Sequence, residues 1–298
     1  MHLIYFRLQR KLIQLSLVLW PTCSFLRRWF RHVQIKISNE SIQTRKNIDR
    51  YFKENLSNKE WKIYKQQRSR SRSQCRQDLI IGLINDWNCG VIIEVGATDG
   101  LLLSNSVMLE KYLGWECILV EPCRSWHDLL KLNRTSSKLI FEAAFHSPNL
   151  SLQFTETEFA ELSGLTGSLP IDYWSIEREN SFNYAVNTTT LDSICDNFEI
   201  NGKFLAITVD IEGGELEALR GFTKNLSLAS LMVIENNGNA QVIFELDEIL
   251  FNQGYVRLEW PFDSFDSWYL RKDLLASSSI LIRLFRSGEL NLKPTTAL

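Results

Sequence analysis

The chain has 298 residues, of which 45% are hydrophobic and 23% charged, and its formal net charge is -2 at pH 7. This balance is typical of a globular protein with a buried core, and the content of 14 Gly and 6 Pro argues against fibrous and low-complexity classes. The net charge conceals an asymmetry. Residues 1–76 contain 18 Lys and Arg against 4 Asp and Glu, whereas residues 77–298 contain 15 against 31. The sequence therefore predicts a basic N-terminal extension attached to an acidic domain.

The first 35 residues are predicted to form one or two helices broken at Pro21. Residues 12–26 are uncharged, but this stretch is shorter than the roughly 20 residues needed to span a bilayer. The sequence around Pro21 is also a poor cleavage site for a secretory signal. Trp20 and Trp29 lie near arginines, a pattern that suits a helix at a membrane interface as well as a helix packed on the domain. Both alternatives stay open, so peripheral membrane contact through residues 1–35 is a hypothesis.

Residues 40–67 have a polar helical pattern, and a short Arg-Ser tract at residues 68–73 follows. RNA-binding tracts of this kind are much longer, so we interpret it as a solvated linker and expect no nucleic-acid partner. The six cysteines form no Cys-x-x-Cys pair, and no His cluster has the spacing of zinc ligands. Free thiols are therefore expected. They favour a cytoplasmic location, with membrane association as the open alternative.

After residue 75, helical patterns alternate with short apolar runs. The predicted strands cover residues 91–95, 117–121, 138–145, 204–210 and 231–235. The predicted helices lie near residues 77–84, 104–113, 124–133, 214–220 and 240–252. This alternation predicts an α/β fold with a Rossmann-like, doubly wound, mostly parallel sheet, preceded by a helical N-terminal extension. Residues 255–260 and 267–270 are predicted as a final antiparallel pair, and residues 151–190 as an inserted hairpin with irregular segments.

The first predicted strand ends in a glycine loop, Glu94-Val95-Gly96-Ala97-Thr98-Asp99-Gly100. Glycines at such a position let the chain turn sharply and approach a ligand closely. Glu121 ends the next strand, 25 residues after Gly96. Because an acidic residue at about this spacing binds ribose hydroxyls in nucleotide-binding folds, a cofactor that contains adenosine is predicted.

The loop favours S-adenosylmethionine over a dinucleotide. A dinucleotide needs Gly-x-Gly-x-x-Gly, since its pyrophosphate sits on a helix N-terminus. Thr98 occupies the second glycine position, and Asp99 would repel a pyrophosphate but attract a sulfonium and an ammonium. The main alternative is a NAD-dependent oxidoreductase on a Rossmann fold, although the chain lacks a Tyr-x-x-x-Lys pair. A membrane-docking, non-catalytic module is the second alternative.

Several stretches, in chain order, resemble the FkbM-type methyltransferase family over about residues 73–271. They are residues 73–78, 93–100, 104–106, 109–111, 120–122, 133–134, 190–192, 209–215 and 265–269. The resemblance implies a Rossmann-like fold, S-adenosylmethionine as cofactor, and methyl transfer, usually to a hydroxyl of a sugar, polysaccharide or secondary metabolite. It divides the chain into an extension (residues 1–72), a methyltransferase domain (73–272) and a tail (273–298).

The predicted site residues follow the strand ends. The cofactor-binding residues are predicted to be Glu94, Gly96, Asp99, Gly100, Ser104, Asn105 and Glu121. A hydroxyl acceptor must lose its proton, and Asp210, at the end of its strand, is the predicted base, with Glu212 as a second catalytic residue. The alternative role of Glu212 is to stabilise a helix N-terminus.

Two further hypotheses concern the acceptor side of the site. Asp210, Glu235 and Asn236 resemble the divalent-metal ligands of catechol-type O-methyltransferases, and hard oxygen ligands suit Mg²⁺. Strand-end capping is the alternative role for Glu235 and Asn236. The aromatic residues of the insertion are candidates for an acceptor wall or for plain packing: Tyr173, Trp174, Phe182 and Tyr184.

Overall fold

The computed structural model describes residues 42–170, 175, 178–198, 200, 202–262 and 265–294. The predicted helices of residues 1–35, with their hypothetical membrane contact, lie outside the described residues, as do Tyr173 and Trp174. Within the described part, no helix combines the length and the apolar character that crossing a membrane requires.

Helices and strands alternate along most of the described chain. The helices are α1 (42–55), α2 (Asn58–Arg68), α3 (Gln77–Ile84), α4 (Val107–Leu113), α5 (Arg124–Asn133), α6 (Leu191–Asn197), α7 (Glu215–Arg220), α8 (Ala240–Phe251), α9 (Lys272–Leu275) and α10 (Ser279–Arg286). The strands are β1 (Val91–Val95), β2 (Glu116–Val120), β3 (Lys138–Ile140), β4 (Ala143–Ala144), β5 (Ser151–Thr157), β6 (Gly164–Leu165), β7 (Ser181–Thr189), β8 (Leu205–Val209), β9 (Ala229–Glu235), β10 (Tyr255–Glu259), β11 (Asp266–Arg271) and β12 (Asn291–Lys293).

The main sheet has eight strands in the order β12-β10-β11-β9-β8-β1-β2-β3. The five strands from β9 to β3 are parallel, and β1, β8 and β9 are buried along their whole length, as apolar runs covered on both faces should be. Strand order reverses between β1 and β8, where Val95 pairs with Val209. Ligands of such sheets bind beyond the carboxyl ends at this reversal. The predicted α/β class and its mostly parallel sheet are confirmed.

The insertion forms a second, smaller sheet in the order β4-β7-β5-β6. Its main unit is an antiparallel hairpin in which β5 pairs with β7 from Ser151 opposite Asn187 to Thr157 opposite Ser181. The single strand predicted over residues 138–145 is divided in two, because β3 ends the main sheet and β4 joins the second one. The insertion therefore begins directly after β3, the edge strand of the main sheet.

The segments at both ends of the described chain belong to the same core as the sheet. Phe52 of α1 and Tyr64 of α2 are fully buried, and the Phe52 ring packs against both Tyr64 and Trp260. Leu284 of α10 belongs to the same cluster. β12 pairs with β10. Residues before 73 and after 272 thus share core contacts and a sheet with the residues between them. The predicted division of the chain after residues 72 and 272 stays a prediction. The five cysteines of the described residues are free, as expected.

Candidate active site

Two clefts open beyond the carboxyl ends of the parallel strands and meet at Asp210. The first cleft, of about 560 Å³, lies between the loops after β1, β2 and β8, and Gly96, Thr98 and Glu121 contribute to its lining. The second cleft, of about 440 Å³, lies beside it. Its polar lining consists of Gln74, Gln77, Asn105, Thr208, Asp210, Glu235, Asn237 and Asp266.

Gly96 brings the loop after β1 against the end of β8. Its φ is +89°, and a Cβ there would lie 1.9 Å from the carbonyl oxygen of Asp210. No other residue could occupy this position without moving one of the two loops. The glycine thus sets the width of the first cleft beside Asp210.

Glu121 ties the loops after β1 and β2 together at the edge of the first cleft. Its buried carboxylate accepts hydrogen bonds from the backbone N–H of Thr98 at 2.7 Å and of Cys123 at 2.8 Å. The carboxylate is therefore fixed at the end of its strand, in the position that the spacing from Gly96 predicts for a ribose-binding residue.

Glu94 lies beneath the loop and is not part of either cleft lining. Its carboxylate accepts hydrogen bonds from Ser104 Oγ at 2.9 Å, from the Asn105 N–H at 2.6 Å and from Ser106 Oγ at 2.5 Å. Burial raises the pKa of Glu94, although the nearby Arg134 guanidinium opposes the increase. Glu94 therefore holds the loop from below.

Arg134 of α5 is the other support of this loop, and sequence reasoning did not assign it a role. Its side chain is fully buried and donates to the Gly100 carbonyl oxygen at 2.9 Å, to Ser106 Oγ at 2.9 Å and to Glu110 Oε2 at 2.8 Å. The only signal for it was the family-like stretch at residues 133–134.

The seven predicted cofactor residues thus fall into two groups. Gly96 and Glu121 line the first cleft, and Asn105 lines the second. The others belong to the supports of the loop and line neither cleft: Glu94, Asp99, Gly100 and Ser104. Asp99 Oδ1 accepts hydrogen bonds from the backbone N–H groups of Leu101 and Leu102, as a turn-forming aspartate does.

Glu212 connects the insertion to the end of β8. Its φ is +60°, and its buried carboxylate accepts a hydrogen bond from Arg178 Nη2 at 3.0 Å. Arg178 also donates to the carbonyl oxygens of Leu162 and Pro170 in the insertion. Glu212 lines the first cleft, so the ion pair fixes the insertion as one wall of that cleft.

Glu215 of α7 folds back over the same turn. Its Oε1 accepts hydrogen bonds from the backbone N–H groups of Ile211 and Gly213, each at 3.1 Å. Burial raises the pKa of the Glu215 carboxyl from 4.5 to about 6, and the nearby Asp210 adds to this increase although the backbone hydrogen bonds oppose it. Such a carboxyl contributes stability that is fully present below pH 4.5 and is lost as the pH rises through about 6.

Glu215→Gln is therefore expected to be less pH-sensitive than the wild type. Between pH 4.5 and pH 7 the wild type should lose roughly 2 kcal/mol of unfolding free energy relative to this variant. Urea denaturation across this range measures the difference. Glu248→Gln, at an exposed position of α8, is the matched control. The prediction would be contradicted if the difference in unfolding free energy between Glu215→Gln and the wild type did not change with pH.

The predicted Mg²⁺ site is not supported by the geometry. The Asn236 amide donates to Ser267 Oγ at 3.0 Å, and its oxygen accepts from the Gly238 N–H at 2.7 Å, so the side chain is committed to its own loop. Across the described ranges, no group of three or more His, Cys, Asp or Glu is arranged to hold a metal. Burial, together with Asp210 and other nearby carboxylates, raises the pKa of Glu235 well above its ordinary value.

Unpartnered polar atoms are concentrated in the two clefts. In the described part of the chain, eleven buried side-chain nitrogen or oxygen atoms have no hydrogen-bond partner in the protein. Six of them belong to cleft-lining residues: Gln74, Thr98, Asn105, Thr208, Asp210 and Glu235. Because buried polar atoms are nearly always bonded in folded proteins, this concentration indicates that the clefts bind ligands.

The aromatic wall predicted from the insertion is not formed by Phe182 and Tyr184. Phe182 is 60% exposed, and the Tyr184 hydroxyl donates to Glu156 and accepts from the Arg124 N–H. Neither residue lines a cleft, whereas Phe154 of the same sheet lines the first one.

The sequence profile of the methyltransferase FkbM domain matches residues 94–257. The chain belongs to the FkbM methyltransferase family. The match begins on β1 and ends on β10, so it contains the loop after β1 as well as Glu121 and Asp210. It confirms the resemblance and, with it, the predicted class of S-adenosylmethionine-dependent methyltransferases. No curated protein sequence matches the chain.

Solved structures of methyltransferases are similar at low sequence identity. An O-methyltransferase from Bacillus cereus in complex with SAH is 13% identical, with 75% of this chain and 96% of that chain covered and a TM-score of 0.38. A precorrin-6y C5,15-methyltransferase from Geobacter metallireducens is 11% identical, with 65% and 84% covered and a TM-score of 0.36. The N-terminal domain of human METTL16 is 13% identical and has a TM-score of 0.36. The match covers 64% of this chain and 66% of that chain, which is just under two thirds of its length. Family membership rests on the profile match alone.

Proposed function

We propose that this FkbM-family protein transfers the methyl group of S-adenosylmethionine to a hydroxyl oxygen of a small-molecule or saccharide acceptor. The observation that carries the proposal is the position of Asp210. It lies where the two clefts meet, and its buried Oδ1 has no hydrogen-bond partner. Two adjoining clefts can hold a methyl donor and a hydroxyl acceptor side by side, and a carboxylate between them can act as the general base.

The first cleft fits the donor. Glu121 offers a fixed carboxylate to ribose hydroxyls, and Gly96 lets the ligand approach the backbone. Ala143, Ala144 and Phe154 give the cleft apolar walls that suit an adenine ring. When bound, S-adenosylmethionine supplies an electrophilic methyl group on a sulfonium.

Asp210 is the proposed base toward the second cleft. A hydroxyl hydrogen-bonded to its Oδ1 would lose its proton to this carboxylate as the new carbon–oxygen bond forms and the carbon–sulfur bond breaks. Because the displacement is in line, the reacting atoms must be held roughly 3–3.5 Å apart. Glu212, also predicted to be catalytic, holds the insertion through Arg178 and is proposed to position this wall.

Glu121→Ala tests the proposal through donor affinity. The variant removes a carboxylate that would bind the ribose and also releases the Thr98 and Cys123 N–H groups. We expect an affinity loss of about 2–3 kcal/mol, or roughly 30- to 150-fold. Isothermal calorimetry with S-adenosylmethionine measures it. Glu116→Ala, at the exposed start of the same strand, is the control and should bind like the wild type.

The same calorimetry is carried out with NAD as the comparison ligand, on the wild type and on Glu121→Ala. Heat from S-adenosylmethionine and none from NAD is the expected result for the wild type. A folded wild type that binds no S-adenosylmethionine would overturn the proposal, and heat from NAD in its place would favour the oxidoreductase alternative. Membrane contact through residues 1–35 stays a prediction.

A further inference from the structure

The insertion contributes one buried carboxylate to the lining of the first cleft. Glu161 lies in a single 3₁₀ turn, Ala160–Leu162, between β5 and β6. Among the described residues of the insertion, it is the only charged one that lines this cleft. The carbonyl oxygen of Leu162 accepts a hydrogen bond at 3.3 Å from Arg178, the same side chain that binds Glu212. The turn that carries Glu161 is therefore fixed relative to the loop after β8.

The Glu161 carboxylate has no partner within the described part of the protein. The residue is only 6% exposed, and none of the described residues forms a hydrogen bond or an ion pair with its side chain. A buried carboxylate without a partner is costly, and such groups are nearly always bonded in folded proteins. A ligand in the cleft can supply the partner. Because an ionised carboxylate only accepts hydrogen bonds, the ligand group beside Glu161 must be a donor.

The surroundings of Glu161 in the cleft suit a flat aromatic ring. Phe154 of β5 and Leu165 of β6 are cross-strand partners, and both line the cleft. Ala143 lines it as well and packs in the same apolar cluster as these two residues. Apolar walls with a few polar groups are typical of sites that hold a ring in one orientation. Glu161 is thus a hydrogen-bond acceptor set among side chains that can pack against adenine.

Adenine has one group that such a carboxylate can bind. Its ring nitrogens N1, N3 and N7 accept hydrogen bonds, whereas its 6-amino group donates them. The ammonium of the methyl donor is the other candidate, but it belongs to the amino-acid tail, and the apolar lining beside Glu161 does not suit a charged tail. Ser163 lines the same cleft. Its Oγ accepts from the Thr157 N–H at 3.0 Å, so its hydroxyl can donate to a ring nitrogen.

We propose that Glu161 binds the 6-amino group of adenine and that the insertion thereby selects the base of the methyl donor. The inference rests on the proposed function and adds the specificity for the purine. A 6-oxo purine in the same place would bring an accepting oxygen against the carboxylate, and this repulsion selects against it. The insertion, whose aromatic residues were predicted to form an acceptor wall, is assigned to the donor instead.

S-adenosylhomocysteine and S-inosylhomocysteine test the proposal, because they share the ribose and the amino-acid tail and differ in the 6-amino or 6-oxo group of the purine. Isothermal calorimetry on the full chain measures both affinities. We expect the wild type to bind S-adenosylhomocysteine roughly 10- to 100-fold more tightly than S-inosylhomocysteine.

Glu161→Gln should bring this ratio to within about threefold of one, because its amide can donate to a 6-oxygen as well as accept from a 6-amino group. Glu161→Ala removes both the attraction and the repulsion, so it should lower the ratio too and replaces Glu161→Gln if that variant does not fold. Glu179→Gln, at an exposed position of the insertion, is the matched control and should keep the wild-type ratio.

Two results would overturn the inference and leave the proposed function intact. One is a wild type that binds both ligands with equal affinity. The other is a Glu161→Gln variant that keeps the wild-type ratio even if it binds both ligands more weakly, because Glu161 would then contact the ribose or the tail that the ligands share. A folded wild type that binds neither ligand would instead sink the proposed function, and the inference with it.

Discussion

Asp210→Asn is expected to lower kcat for methyl transfer by roughly 10²–10⁴-fold while S-adenosylmethionine affinity stays nearly unchanged. The amide has the shape of the carboxylate and keeps one accepting oxygen, but it cannot take a proton. The backbone N–H of Asp210 bonds to the Val95 carbonyl oxygen at 3.1 Å, and this bond does not depend on the side chain. Steady-state release of S-adenosylhomocysteine, with the most active acceptor of a monosaccharide panel, measures the loss.

The control for this prediction is another Asp→Asn change, Asp128→Asn, at an exposed position of α5. Its kcat and KM should equal those of the wild type. If Asp210→Asn instead keeps its kcat and raises only the KM of the acceptor, Asp210 binds the acceptor but does not take its proton. The split between kcat and KM thus separates a base from a binding residue.

The parallel core of the fold could be predicted because its strands have a simple pattern. β1 matches the prediction at both ends. β8 is an apolar run followed by Asp210, and β9 is a mostly apolar run whose last residue is Glu235. Strands buried on both faces need continuous apolar residues, which a single sequence displays. Gly96, Glu121 and Asp210 could be predicted as site residues because they directly follow β1, β2 and β8, and parallel strands have their carboxyl ends at one edge of the sheet.

The edges of the two sheets could not be predicted in the same way. Residues 138–145 contain no Gly or Pro that would divide them into β3 and β4. The division depends on β7, because Ala143 pairs with Thr188, which lies far along the chain. β12 has only three residues, too few for a pattern, and it exists through its pairing with β10. Both are effects of tertiary contacts on local structure.

The direction in which the side chains of the glycine loop point could not be predicted from the sequence either. Asp99 was predicted to face a cationic cofactor, yet its carboxylate bonds to the N–H groups of Leu101 and Leu102. Which side chain of a loop points into a cleft depends on backbone dihedrals such as the φ of +49° at Thr98, which sequence spacing does not reveal. Arg134 and Gln74 reach the site from distant segments, so only the folded chain connects them to it.

Arg134→Met is expected to lower the unfolding free energy by roughly 3–5 kcal/mol. The change removes the guanidinium from a fully buried position and leaves the partly buried carboxylate of Glu110 and the buried carboxylate of Glu94 without their nearest cation. The Gly100 carbonyl oxygen and Ser106 Oγ also lose donors, so the loop after β1 should loosen. Because that loop lines the first cleft, affinity for S-adenosylmethionine should fall as well. Chemical denaturation and calorimetry measure the two effects.

The matched control is Arg220→Met. Arg220 also pairs with carboxylates, Glu217 and Glu245, but its side chain is 48% exposed, and such surface pairs contribute at most about 1 kcal/mol. Arg134→Lys keeps the positive charge but lacks the planar guanidinium. Its loss of unfolding free energy should lie between the losses of Arg134→Met and Arg220→Met, because one ammonium cannot donate to all of the guanidinium's acceptors at once. A loss for Arg134→Met no larger than for Arg220→Met would show that the loop does not depend on Arg134. The bonds from Glu94 to Ser104, Asn105 and Ser106 would then be its main support.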